Sequence, residues 1–211
     1  MSTFILDIET SASEKALSIV NQNIKAPANL KDPEKIAQAL ESKKAGASKT
    51  VKVDTDLADI LCIGIKEVGG EKKLYTPKEL EAWFESRKIA DYEGKGFHYD
   101  IRFVTYNGKA FDIPLLIKVG IKESLNYPYH LLVEMTNRYN NKNHIDLMTE
   151  VGAYGQYKSL DMMLQIYCGI SKTPIDFDTA SDEEVKKHCL EDIDNTEKLY
   201  MKFEQLFTNL K

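Results

Sequence analysis

Apolar residues fall along the chain in short clusters whose spacing alternates between the two-residue period of a strand and the three-to-four-residue period of a helix. Thr3-Phe-Ile-Leu-Asp-Ile-Glu-Thr10 predicts a first strand. From Ser11 to about Asp56 the sequence is polar and lysine-rich, with Asp32-Pro-Glu-Lys as a capped start to a helix reaching about Lys44, and it reads as an insertion between core elements. Ile60 to Val68 predicts a second strand, Gly69-Gly70 a tight turn and Lys72 to Tyr75 the returning partner, a meander with the first strand. Thr76 caps a helix through about Lys88, with Pro77 at its first position. Ile101 to Tyr106 predicts a strand that stops at the turn pair Asn107-Gly108, and from Phe111 to about Val119 the spacing turns helical. Tyr127 to Gly155 reads as a helix and loops, and further helices run from Ser159 to Cys168 and from Ser181 to about Phe207. The whole is expected to be one α/β domain over residues 1–211, with a lysine-rich helical insertion at about 11–56.

Composition narrows this picture modestly. With 211 residues and 43% hydrophobic content, the chain can bury one substantial core. No apolar stretch approaches a membrane span, and Met1 is followed by a strand pattern instead of a basic region leading into an apolar signal, so the expected location is the cytoplasm. Cys62, Cys168 and Cys189 lack the spacing of a zinc site or a disulfide framework and read as reduced small hydrophobes. The net charge of −5 argues against holding nucleic acid by bulk electrostatics but leaves room for a nuclease, whose metal site itself needs acids. Between Lys25 and Lys52, seven lysines face three acids, a local excess of +4. That stretch reads as a solvated helix face and loop, with a phosphate-gripping arm as the alternative.

Candidate chemistry begins with Asp7 and Glu9. They flank one isoleucine on a strand, so both project from one side, and two carboxylates held that close repel unless a cation lies between them. A hard divalent ion bound through oxygen fits that need, and an edge-strand solvent face is the alternative. Asp112 stands where a buried strand gives way to a helix, a common place for a functional side chain and equally an ordinary site of helix-terminus charge complementarity. His188 and Asp192, four apart, share one face of the last helix.

Asp7-x-Glu9, Tyr106-Asn-Gly-Lys-Ala-Phe-Asp112 and His188-Cys-Leu-Glu-Asp192-Ile-Asp-Asn-Thr196, in that order, resemble the three motifs of the DEDD superfamily. More closely, the chain resembles the stand-alone predicted 3′–5′ exonucleases related to the exonuclease domain of family B DNA polymerases. Asp32-Pro-Glu-Lys-Ile36, His144-Ile-Asp-Leu-Met148 and Ser159-Leu-Asp161 extend the likeness over nearly the whole chain. The resemblance implies a ribonuclease-H-like α/β fold, with a mixed sheet of about five strands, the first three antiparallel, flanked by helices. It also implies that Asp7, Glu9, Asp112 and Asp192 hold two divalent cations, magnesium or manganese. The activity implied is two-metal hydrolysis of terminal phosphodiester bonds in single-stranded or frayed DNA, releasing nucleoside 5′-monophosphates. The alternatives are a 3′–5′ exoribonuclease on short RNA and a weakly active exonuclease-like module that binds nucleic acid.

One position departs from the group resembled, which carries tyrosine four residues before the last aspartate. Here it is His188; the superfamily's other branch uses histidine, but five residues before its aspartate. A neutral imidazole can accept a proton near pH 7, so His188 is expected to act as general base or to orient water, against the alternative that it only packs or caps. By position in the motifs, Asn107 and Phe111 are expected to meet the terminal nucleotides, and the backbones of Ile8 and Thr10 the terminal sugar. Lys158 is expected to contact phosphate. Asp146 and Asp161 are expected to cap structure instead of binding metal. Arg138-Tyr-Asn-Asn-Lys-Asn-His144 reads either as a single-strand-binding loop or as a solvated connection. With no polymerase domain in the sequence, any editing is expected in trans beside a polymerase or another replication protein, and repair, nucleotide salvage and DNA processing stay equally open.

Overall fold

A computed structural model describes residues 1–91, 94, 96–152 and 155–207. The expected segment from Tyr127 to Gly155 and the expected domain limit at Lys211 therefore include positions outside the described residues. In chain order the elements are β1 (Thr3–Ser11), α1 (Glu14–Asn23), α2 (Pro33–Ala45), α3 (Ala47–Val53), β2 (Asp59–Glu67), β3 (Lys72–Tyr75) and α4 (Pro77–Glu85). They continue with β4 (Lys88–Ala90), β5 (Phe97–Tyr99), β6 (Arg102–Thr105), α5 (Asp112–Lys122) and α6 (Tyr129–Met135). The last are β7 (His144–Asp146), α7 (Leu147–Val151), α8 (Leu160–Cys168) and α9 (Asp182–Phe207). None of the described helices is long and apolar enough to cross a membrane.

The chain divides into two compact units, one of Met1–Glu9 with Leu61–Lys211, the other of Thr10–Ile60. In the smaller unit the Asp32 carboxylate accepts from the Glu34 N–H, Pro33 takes the first helical position of α2, and α1 and α2 both pack on α3. Helix α1 lies where the pattern showed only polar sequence. Ser13 caps it, and Ala16 is its one buried residue, so it leaves little apolar periodicity to read.

The larger unit is built on a five-stranded sheet in the order β3-β2-β1-β6-β7. β2 and β3 are antiparallel, and β1, β6 and β7 run parallel. The Val68 N–H donates to the Thr3 carbonyl, so the end of β2 meets the start of β1 and the two run in opposite directions. Alternation along β1 sends Phe4 to one face, where its ring meets Trp83 edge-on at 5.1 Å, and Phe84 and Phe103 complete the cluster. Ile5 enters the other face with Val104, Ile145, Leu164 and Ile193, under α8 and α9. Burying each of these large side chains contributes roughly 1.5–3 kcal/mol.

Two short features differ from the sequence pattern. Helix α4 ends at Glu85 instead of about Lys88, because Lys88–Ala90 pair antiparallel with Phe97–Tyr99 as a separate two-stranded ribbon. The edge strand β7 has only three residues, too few for a two-residue period to register.

Candidate active site

The face of β1 that takes Ile5 also takes Asp7 and Glu9, two and four residues on, and this is the side covered by α9. α9 comes unusually close to the sheet at Gly64 of β2. A Cβ there would lie 2.3 Å from Ile193 Cδ1 and 2.9 Å from Cys189 Sγ. The same helix is tied to the β2–β3 hairpin by Lys66, whose ammonium donates to Asp194 at 2.9 Å and Glu197 at 2.6 Å, and by Lys72 on Asp194 at 2.5 Å. The Cys189 thiol donates to the Asp7 carbonyl at 3.7 Å. Seating α9 this way brings His188 and Asp192, one turn apart, onto Glu9: one ligand atom from each of Glu9, His188 and Asp192 lies within 4.8 Å of the other two. His188 Nε2 stands 3.5 Å from Asp192 Oδ2, and the Phe177 ring meets the imidazole edge-on at 5.5 Å.

Asp112, just beyond β6, lies close enough to Asp7 to feel its charge, though it is not one of the three residues clustered within 4.8 Å. Asn107 leaves that strand at φ 72°, a left-handed conformation that asparagine tolerates better than most residues, and a tight turn leads to the start of α5. The turn is fastened by Asp146 at the end of β7, whose carboxylate accepts from the N–H groups of Asn107 at 2.8 Å, Lys109 at 3.0 Å and Met148 at 3.1 Å. The last of these bonds caps α7. Asp112 is buried, and the backbone N–H of Ile8, between Asp7 and Glu9 on β1, is near enough to favour its charged form slightly.

Burial and mutual repulsion dominate the electrostatics. Burial first, then the charge of Asp192, pushes the Asp7 carboxyl up to about 7, against the opposing Lys172 ammonium. Burial, then Asp7 and Asp192, pushes Glu9 up to about 9. Burial and the charge of Asp7 raise Asp112 well above the usual carboxylate range. His188 goes the other way: burial holds its imidazole below the ordinary value despite Asp192. Among the described residues, Asp7 Oδ2 and Asp192 Oδ1 are buried oxygens with no hydrogen-bond partner. An acceptor oxygen without a donor is expensive to bury, and a hard cation satisfies it. This carboxylate-rich donor set with one imidazole therefore fits divalent ions.

The expected substrate contacts are placed differently from one another. Ile8 buries its side chain, and its backbone lies near the Asp112 carboxyl. Thr10 belongs to the smaller unit, where its hydroxyl donates to the Lys52 carbonyl at 2.7 Å. Asn107 is exposed, and Phe111 is half-buried immediately before α5. Lys158 is exposed, with its carbonyl accepting from the Tyr106 hydroxyl at 2.6 Å. Asp161 differs from its expected capping role: Ser159 caps α8, and Asp161 accepts from the backbone N–H of Lys172 at 2.8 Å. Lys172 was missed from the sequence. Its ammonium donates to Asp192 Oδ2, yet it sits in the α8–α9 connection, where no periodicity marks it.

A model of the family described as "Predicted 3′-5′ exonuclease related to the exonuclease domain of PolB" matches residues 84–211, which hold Asp112, His188 and Asp192. Asp7 and Glu9 lie before that span. No curated protein matches the chain. Among solved structures, the family B DNA polymerase of the hyperthermophilic archaeon Pyrobaculum calidifontis is similar with a TM-score of 0.53 and 13% identity. The match covers 96% of this chain and 24% of that one, so the chain spans about a quarter of the polymerase's length. The likeness is one of fold, and the mixed five-stranded sheet flanked by helices is ribonuclease-H-like.

Proposed function

The chain belongs to the family of predicted 3′–5′ exonucleases related to the exonuclease domain of PolB, and from that premise we propose that it removes nucleotides from the 3′ end of single-stranded or frayed DNA, releasing nucleoside 5′-monophosphates. The observation that carries this reading is the convergence of Glu9, His188 and Asp192 beside the partnerless buried oxygens of Asp7 and Asp192. A site with no cationic ligand gains nothing from crowding carboxylates whose pKa values are driven up by burial and then by one another.

In this reading Asp7, Glu9, Asp112 and Asp192 hold two divalent cations, magnesium or manganese. Bound there, such ions make water more acidic and offset the negative charge that grows on the phosphate under attack. His188, neutral near pH 7 because burial lowers its affinity for protons, accepts the proton of the attacking water at an imidazole nitrogen. The Asp192 carboxylate 3.5 Å from Nε2 orients the ring and stabilises it once protonated. Phe177 covers one side of the imidazole and limits the water that reaches it. Lys172 places a further positive charge on Asp192. Asn107, exposed and fixed by Asp146, hydrogen-bonds the terminal nucleotide, and half-buried Phe111 packs against its base. Lys158 contacts a phosphate. Acting on 3′ ends left by a polymerase in trans, such an activity serves replication or repair.

The test incubates 5′-labelled single-stranded DNA and RNA of one sequence with the protein in magnesium, manganese or chelator, beside Asp7→Ala. A ladder shortening from the 3′ end of DNA, absent in chelator and in the variant, is expected. Shortening of RNA alone moves the substrate to the exoribonuclease alternative, and no shortening of either polymer refutes the enzyme reading.

A further inference from the structure

The loop Asn137-Arg-Tyr-Asn-Asn-Lys-Asn143 carries an aromatic residue at its crest that nothing in the fold uses. Tyr139 is 90% exposed, more than any other large apolar side chain among the described residues; a singly exposed ring is ordinary, and what sets this one apart is the loop that carries it. The loop beneath it is firmly held. Lys109, itself only 7% exposed, sends its ammonium to the Arg138 carbonyl at 3.1 Å and to Asn141 Oδ1 at 2.6 Å. Asn141 Nδ2 donates to Glu150 Oε2 at 2.6 Å, and Glu150 also pairs with Lys109. Asn137 Oδ1 accepts from the Tyr139 N–H at 3.0 Å, fixing the backbone at the ring. On the far side, Arg102 Nε donates to the Lys142 carbonyl at 2.8 Å. A buried cation and the amide side chains of Asn137 and Asn141 thus hold the backbone beneath a ring that is 90% exposed.

The charges around the ring are arranged by the same network. Lys109 and Glu150 neutralise each other inside, while Arg138 is steadied by the Tyr157 hydroxyl at 2.8 Å, and Lys142, three residues beyond the ring, stands exposed. An aromatic face flanked by cations matches the two groups that every unpaired nucleotide presents, a base plane and a phosphate. The position matches as well, because Lys109 lies in the turn between Asn107 and Asp112 and ties that turn directly to the loop.

We propose that Tyr139 is a stacking platform for a base of an unpaired polynucleotide strand upstream of its 3′-terminal nucleotide, with Arg138 and Lys142 contacting the flanking phosphates. The proposal deepens the exonuclease reading and rests on it for the polarity of the strand. It makes the chain bind an oligomer that reaches the loop more tightly than a dinucleotide held at the acids.

Binding of fluorescent 12-nucleotide single strands and of a dinucleotide, measured by anisotropy in chelator, tests this. Tyr139→Ala is expected to weaken 12-mer binding roughly 5- to 150-fold, the loss of one base–aromatic stack. Dinucleotide binding is expected to be unchanged, Tyr139→Trp to restore the 12-mer, and thermal stability to stay level because the ring is exposed. Unchanged 12-mer affinity in Tyr139→Ala, equal weakening of both ligands, or no binding by the intact chain overturns the platform. The two readings fail separately. DNA degradation with no dependence on Tyr139 removes the platform and keeps the nuclease, whereas Tyr139-dependent binding with no degradation removes the nuclease and keeps the platform.

Discussion

Replacing Asp7 by asparagine measures what the buried acids of this site cost the fold. The carboxyl is held at about 7 against an ordinary 3.8, chiefly by burial and then by Asp192. An acid whose pKa is higher in the folded chain binds its proton more tightly there than in the unfolded chain. The stability it contributes is therefore complete below the unfolded value near 4 and is lost as pH rises through about 7. At roughly 1.4 kcal/mol per pH unit, the full gap corresponds to about 4 kcal/mol of destabilisation at pH 8. Asparagine keeps the shape without the charge, and the Lys172 attraction it forgoes reduces the gain, so Asp7→Asn is expected to be more stable than the native chain by about 2–4 kcal/mol at pH 8 in chelator. For a chain of this length that is a rise in Tm of roughly 4–16 °C. At pH 5 the folded carboxyl already holds its proton, and the difference falls below half. Urea denaturation of both proteins at pH 5 and pH 8, with and without magnesium, reads all eight values. Magnesium is expected to raise the native chain and leave the variant nearly unmoved. A variant no more stable than the native chain at pH 8 in chelator, or a difference that does not widen from pH 5 to pH 8, refutes the argument that the Asp7 charge is held against burial and its acidic neighbours.

Two further perturbations address the same site. His188→Ala is expected to lower turnover by ~10²–10⁴, the range of general-base loss, with the native acid limb falling below the ordinary histidine value because burial lowers its pKa; full activity of the variant from about pH 6 to 9 would rule the role out. Gly64→Ala puts a methyl 2.3 Å from Ile193 Cδ1 and is expected to destabilise the chain by about 1–3 kcal/mol and to depress activity by displacing α9. A fully active Gly64→Ala protein of native stability would show that α9 needs no such close approach.

What the sequence revealed divides by the length over which a pattern is written. β1, the β2–β3 hairpin, α4 and α9 carry several residues of regular apolar spacing or explicit caps such as Thr76 with Glu79, and they stand close to where the pattern put them. β4, β5 and β7 are three residues each, below the length at which alternation can be distinguished from chance. The acids could be read because Asp7 with Glu9 and His188 with Asp192 are neighbours within single elements. The structure brings Glu9 to His188 and Asp192, but that approach depends on Gly64, a residue with no functional group. Lys172 was beyond reach for a related reason: its partner is twenty residues away across a loop with no period. Asp146 was legible as a cap, whereas its hold on the Asn107–Lys109 turn requires two strands paired in register.

The raised pKa values of Asp7 and Glu9, together with the Lys172 ammonium on Asp192, mean that the site is already charge-compensated by protons and a side chain. A divalent ion entering it does not simply add to it but displaces a resident. Its apparent affinity then rises about tenfold per pH unit for each proton it evicts, and the free ion concentration at half-occupancy becomes a function of pH. On the proposed function, an internal counter-charge of this kind would make loading of the site a competition set by the chain's own side chains.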